Sequence, residues 1–254
     1  MLVDQRTQEA RPPALFTQIG TDPTFEVLLK TGKLPNAKTS TAGVTGSKIQ
    51  VNRELVEALP EAKRPFTREI RIHTLSNSSI PRSDFPKWSR WYQEDGHTQV
   101  FRLFKGETNR RNSRAFAARI EAYSDIKWKE SEGKWHEWNG VVTAINPVGM
   151  NLQVKNSDND WSVAIHVSKS GNVMLNRRRG NDETIATNMI GKPFLLTVRD
   201  NGRDYEVFLN GKKVGTGTYA RPTGTTCFRW GMYVGDNEVT HDAMIFFSGV
   251  SIDR

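Results

Sequence analysis

The chain has 254 residues, 36% hydrophobic and 25% charged, which is the balance of a globular protein and not of a disordered or fibrous one. No apolar run approaches the roughly 18 residues that a membrane-crossing helix needs, and a single cysteine, Cys227, excludes an internal disulfide framework and a cysteine-cluster metal site. The formal net charge of +8 favours polyanionic partners: acidic polysaccharide, nucleic acid or anionic membrane.

The N-terminal stretch "MLVDQRTQEARPP" lacks the apolar segment of a secretory leader. The expectation is a cytoplasmic protein, or a secreted or periplasmic one whose leader is absent from this sequence. "KTGKLPNAKTSTAGVTGSK" is rich in Thr, Gly, Ser and Lys and reads as irregular. A short helix is expected over "NRELVEALPEAK", with Asn52 as N-cap and Pro60 near its end. Residues 1–62 are therefore read as an N-terminal extension, partly irregular, and residues 63–254 as the main domain.

From Arg64 onward, short strand candidates alternate with turn signals. In "TREIRIHTL" the apolar positions are Ile70 and Ile72. "TQVFRLF" follows a turn at Asp95-Gly96. "SRAFAARIEAYS" sets Ile120 against Arg119, Glu121 and Tyr123. "WHEWNGVVTAI", "MNLQVKN", "WSVAIHV" and "GNVMLNRRR" come next. Asn201-Gly202 and Asn210-Gly211 are dipeptides that suit tight hairpins. In "TTCFRWGMYVG", Phe228, Trp230 and Met232 alternate with Arg229, Gly231 and Tyr233, and "DAMIFFSGVSI" closes the chain. About ten strands of this kind predict an all-β fold, an antiparallel two-sheet β-sandwich of jelly-roll, concanavalin-like type.

No phosphate loop, dinucleotide fingerprint or H-E-x-x-H motif occurs, and the five histidines are scattered, so neither metal nor cofactor is expected. No nucleic-acid-binding motif accompanies Arg177, Arg178 and Arg179, and strand alternation turns Arg178 away from its neighbours. The informative pattern is polar residues at alternating strand positions. Arg119, Glu121 and Tyr123 share a face, as do Gln153 and Lys155, and Arg229 and Tyr233. Either this is a solvated outer face, or it is a binding face on which Gly231 makes room for a sugar ring. Arginine binds carboxylate in a bidentate way, glutamine donates to it, and a phenol moves a proton. That set suits β-elimination on a uronic-acid polymer. Donors neutralise the carboxylate as the enolate-like state forms, while a positioned phenol acts as base, acid or both. The tryptophans Trp88, Trp91, Trp128, Trp135 and Trp138 either stack on sugar or fill the core.

These residues carry a resemblance. "ARIEAYSDIKWKESEGKWHEWNGVVTAI" resembles the strand pair of jelly-roll alginate lyases that holds their R-x-E-x-R and H-T-L-x-G elements. "NLQVK" stands where they have Q-[IV]-H, and "FRWGMYVG" is similar to their Y-F-K-A-G-x-Y. The likeness spans about residues 98–250, and glucuronan lyases share the sandwich. Two positions depart from the pattern: Lys155 replaces the histidine, and Tyr123 replaces the second arginine. The resemblance implies a polysaccharide lyase on an acidic, uronate-containing glycan, working without metal or cofactor. It implies Arg119 and Gln153 as carboxylate binders, Tyr233 as the proton-transfer residue, Lys155 beside them, and Arg229, Glu121, Tyr123 and Arg114 as substrate contacts. The alternative is a non-catalytic, lectin-like carbohydrate-binding protein using the same face. A basic nucleic-acid-binding protein ranks third, no membrane partner is expected, and oligomeric state is not legible.

Overall fold

The computed structural model describes residues 70–75, 78–88, 90–95, 98–109, 117–235 and 237–252. The proposed extension 1–62, the helix over "NRELVEALPEAK" and Arg114 lie outside these residues. Within them the chain forms fifteen strands in two antiparallel sheets, with two short 3-10 segments at Arg82–Trp88 and Glu130–Glu132.

One sheet contains β1 (Ile70–His73), β2 (Ser79–Ile80), β5 (Arg119–Ser124), β7 (Met150–Asn156), β8 (Trp161–Val167), β9 (Val173–Arg177), β10 (Glu183–Ala186) and β14 (Thr226–Tyr233). Its order is β10-β9-β8-β7-β14-β5-β1-β2. The other contains β3 (Tyr92–Asp95), β4 (Thr98–Leu103), β6 (His136–Asn146), β11 (Phe194–Asp200), β12 (Asp204–Leu209), β13 (Lys212–Thr218) and β15 (Ala243–Ile252), in the order β13-β12-β11-β6-β15-β4-β3. The two-sheet antiparallel jelly-roll sandwich expected from the strand alternation is the fold observed.

Alternation explains where the core lies. Ile70 and Ile72, Ile120 and Ala122, Leu152 and Val154, and Phe228, Trp230 and Met232 all point between the sheets and are buried. Burying each large apolar side chain is worth about 1.5–3 kcal/mol. The buried Trp230 indole donates to Gln99 Oε1 of the opposite sheet at 2.8 Å, which satisfies the one polar atom that its burial would otherwise strand. Trp128 and Trp138 also belong to the core and are fully buried, so these two are not sugar-stacking rings, while the half-buried Trp88 and Trp91 pack against it. Cys227 is a buried free thiol, as its strand position implies.

The β12–β13 hairpin turns at Asn210 and Gly211, whose φ values of 50° and 78° fit the tight turn that this dipeptide favours. A second tie between the sheets is ionic. Arg221 Nη2 donates to both Asp200 oxygens at 2.5 Å, and both residues are fully buried. Asp200 also accepts from Trp128 Nε1 at 3.0 Å, Ser162 Oγ at 3.2 Å and the Gly202 amide at 2.7 Å. Every lone-pair direction is thereby used, as a buried carboxylate requires.

Candidate functional site

The residues opposite the core positions of β5, β14 and β7 collect on the outer face of the eight-stranded sheet. Register places them. Tyr233 lies opposite Arg119, Gly231 opposite Glu121, and Arg229 opposite both Tyr123 and Gln153. β1 extends the row, with His73 opposite Glu121 and Arg71 opposite Tyr123. Although they point away from the core, Glu121, Gln153 and Lys155 are only 1%, 3% and 7% exposed. A solvated outer face does not bury a carboxylate, an amide and an ammonium in one place.

Gln153 and Glu121 stand on strands separated by β14, yet Gln153 Nε2 donates to Glu121 Oε1 at 2.5 Å. On the strand between them Gly231 is level with Glu121 and Arg229 with Gln153, so the bond runs diagonally across β14. Gly231 also has φ 129°, and a Cβ there would stand 2.4 Å from the Ile120 carbonyl oxygen and 2.8 Å from Phe101 Cδ1. Asn151 Nδ2 donates to the Gly231 carbonyl at 3.3 Å, at the point where the β7–β14 register shifts by a residue.

The two tyrosines of the face differ. The Tyr123 hydroxyl hydrogen-bonds the Ser79 hydroxyl, which Arg71 Nε also holds at 2.7 Å. Its ring lies 4.7 Å from His73 and 6.0 Å from the Arg229 guanidinium. Tyr123 is therefore a fixed wall. Tyr233 is flanked by cations, with the Arg119 guanidinium 4.4 Å and Lys155 Nζ 5.9 Å from its ring centroid. Among the described residues nothing hydrogen-bonds the Tyr233 hydroxyl.

Charge at the site is unbalanced. Among the described residues, Arg71, Arg119, Lys155 and Arg229 face a single carboxylate, Glu121, whose Oε2 is 4.0 Å from Arg119 Nη1. Burial and the Arg229 charge push the Lys155 ammonium below its ordinary range, with Glu121 opposing them. Burial, followed by Arg229, Arg119, Lys155 and Arg71, holds His73 down to about 3, so its imidazole is neutral. His73 Nδ1 is buried and has no partner among the described residues. A face with this excess of cations suits a carboxylated ligand.

Seven of the eight residues expected at the site lie on this face: Arg119, Glu121, Tyr123, Gln153, Lys155, Arg229 and Tyr233. The eighth, Arg114, falls outside the described residues. Sequence reasoning passed over His73. The alternation of Ile70 and Ile72 already placed Arg71 and His73 together on the other face, but only strand pairing brings His73 beside Glu121. Among the described residues no group of three or more His, Cys, Asp or Glu side chains could hold a metal ion, and no helix is long and apolar enough to cross a membrane.

No protein-family model and no curated protein matches the sequence. Solved structures do match in shape. An alginate lyase from Pseudomonas aeruginosa aligns with 75% of this chain and 100% of its own, at 13% identity and a TM-score of 0.60. The marine polysaccharide lyase family 7 enzyme AlyA1 from Zobellia galactanivorans covers 74% of this chain and 96% of its own, at 15% identity and a TM-score of 0.55. An alginate lyase from Corynebacterium sp. covers 73% and 94%, at 11% identity and a TM-score of 0.56. At such identities the likeness is one of fold: the chain has the jelly-roll sandwich of the family 7 alginate lyases.

Proposed function

We propose that the protein is a polysaccharide lyase that cleaves an acidic, uronate-containing glycan by β-elimination, with alginate the first candidate substrate. The observation that carries this reading is the open Tyr233 phenol between two cations, beside the buried Gln153–Glu121 pair. In the proposed reaction Arg119 and Gln153 donate to the carboxylate of the uronate whose C5–H bond breaks. Their donors gain strength as negative charge spreads onto that carboxylate, which lowers the barrier. Glu121 orients both donors and does not touch the sugar.

Tyr233 reacts as its phenolate: the oxygen takes the C5 proton and becomes the phenol, the C4–C5 double bond forms, and the C4–O4 bond breaks. The proton returns from the phenol to the departing O4, so the enzyme ends as it began and no metal or redox partner is needed for the balance. Lys155 stands where the resembling lyases carry histidine. Here it serves as a cation that favours the negative charge developed during proton transfer. Fold likeness to alginate lyases, one of them solved with a bound substrate, supports the choice of polymer class.

The lysine also favours a second reading, in which the face binds acidic glycan without cleaving it, because an ammonium is a poorer base than an imidazole. The test is to incubate the protein with alginate, glucuronan, ulvan and glycosaminoglycans and to follow the ultraviolet absorbance of the new C4–C5 double bond. Absorbance growth on at least one polymer supports the lyase. Saturable binding without any absorbance change supports the binding protein.

A further inference from the structure

Resting on the lyase reading, we propose that Trp161 and Arg178 form a further uronate-binding subsite, on the β8–β9 side of the reaction centre. Trp161 becomes available through a register shift. β7 and β8 pair Gln153 with Ala164 but Lys155 with Trp161, so two residues on β7 oppose three on β8. That extra residue is a β-bulge, and it reverses which face each side chain takes. Ser162 turns inward, where its hydroxyl donates to the buried Asp200. Trp161 turns outward, onto the face that carries Lys155 and Gln153.

The exposure pattern agrees. Trp88 and Trp91 are half-buried because they pack on the core, whereas Trp161 is half-buried without joining it. An outward indole that no core residue covers is a flat apolar surface of the kind a pyranose ring stacks on. Arg178 supplies the charge. Its amide donates to the Ser162 carbonyl at 3.0 Å, which anchors the residue just past β9, and its guanidinium lies 5.8 Å from the Trp161 ring centroid. Its described ionic partner is Asp160 at 4.0 Å, in a pair whose side chains are 46% and 44% exposed. Such a pair is weak in water, so the guanidinium remains available to a ligand carboxylate.

Position completes the argument. Trp161 is one strand from Lys155 and two from Tyr233, about 10 Å across the sheet, and its register level on β14 is Cys227, six residues or about 20 Å along the strand from Tyr233. A chain held at Tyr233 by one carboxylate therefore reaches Trp161 only if further residues follow. The ligand class is an oligouronate several residues long, with one ring on Trp161 and its carboxylate on Arg178.

Calorimetric titration of an alginate hexasaccharide and an alginate disaccharide tests this, using the parent protein, Trp161→Ala and Arg178→Gln. Where the parent cleaves the probe, all three are titrated with Tyr233→Phe added. Trp161→Ala is expected to weaken hexasaccharide binding about tenfold and Arg178→Gln about threefold, with disaccharide binding unchanged. The Arg178→Gln effect should vanish in high salt, because its contribution is ionic. Arg178→Gln alters an exposed side chain, so it remains informative if Trp161→Ala perturbs the bulge. Unchanged hexasaccharide binding in both variants, or equal weakening of both probes, overturns the subsite and leaves the lyase reading standing. A parent protein that binds neither probe overturns alginate as the ligand, and the subsite with it, and leaves the lyase reading to the polymer panel.

Discussion

Gln153 reaches across an intervening strand to donate to Glu121, whose own register partner on that strand is Gly231. The carboxylate is 1% exposed and also stands 4.0 Å from Arg119. It is therefore the fixed point from which both proposed carboxylate donors are aimed. Glu121→Gln keeps the shape and removes the charge. It should cost about 1.5–3 kcal/mol of stability, the worth of a charged hydrogen bond, and turnover should fall more than substrate affinity. Urea unfolding together with separate kcat and KM values checks both.

Gly231→Ala should be damaging in spite of its small size. The backbone is at φ 129°, and the new Cβ would meet the Ile120 carbonyl and Phe101. Strain and overpacking each cost about 1–3 kcal/mol. We expect a loss of at least about 2 kcal/mol in denaturant unfolding. Activity should fall too, because Arg229 and Tyr233 are carried by the same strand.

Much of the site was legible because strand alternation is a local property. Arg119, Glu121 and Tyr123 could be grouped from five consecutive residues, and Arg229 with Tyr233 likewise from five. What stayed hidden depends on contacts far along the chain. His73 enters only through the pairing of β1 with β5. Trp161 enters only through a bulge that reverses the alternation, which no periodicity count over "WSVAIHV" can reveal. The Gln153–Glu121 bond was hidden for a related reason: its two ends lie on strands either side of β14. The Asp200–Arg221 pair was invisible as well, since it joins the end of one strand to a loop next to the opposite sheet.

That buried pair yields its own test. Removing one partner strands a charge in the interior, which costs about 3–5 kcal/mol, whereas replacing both partners with apolar residues of similar volume costs far less. Arg221→Met should therefore destabilise strongly, and Arg221→Met with Asp200→Leu should recover part of the loss. Equilibrium unfolding of the two variants against the parent checks this.

His73 makes stability depend on pH. Its folded value is held near 3 by burial and by Arg229, Arg119, Lys155 and Arg71, whereas the unfolded chain titrates near 6.5. Between these values the unfolded state binds the extra proton. Stability should therefore be highest above about pH 6.5 and decline as pH falls toward 3. His73→Gln should flatten that decline in urea unfolding measured across the range. An unchanged slope would assign the pH dependence to other groups.

The account rests most on Tyr233. Tyr233→Phe removes one hydroxyl that nothing among the described residues hydrogen-bonds, so the melting temperature should stay close to that of the parent. If the phenol moves the proton, the initial rate of unsaturated-uronate formation should drop by about 10²- to 10⁴-fold, the usual contribution of a positioned acid-base group. The decisive measurement is that rate, followed by ultraviolet absorbance on the polymer the parent cleaves best. A folded Tyr233→Phe protein with almost no activity is the predicted result, and a folded variant that cleaves at the parent rate would contradict the mechanism.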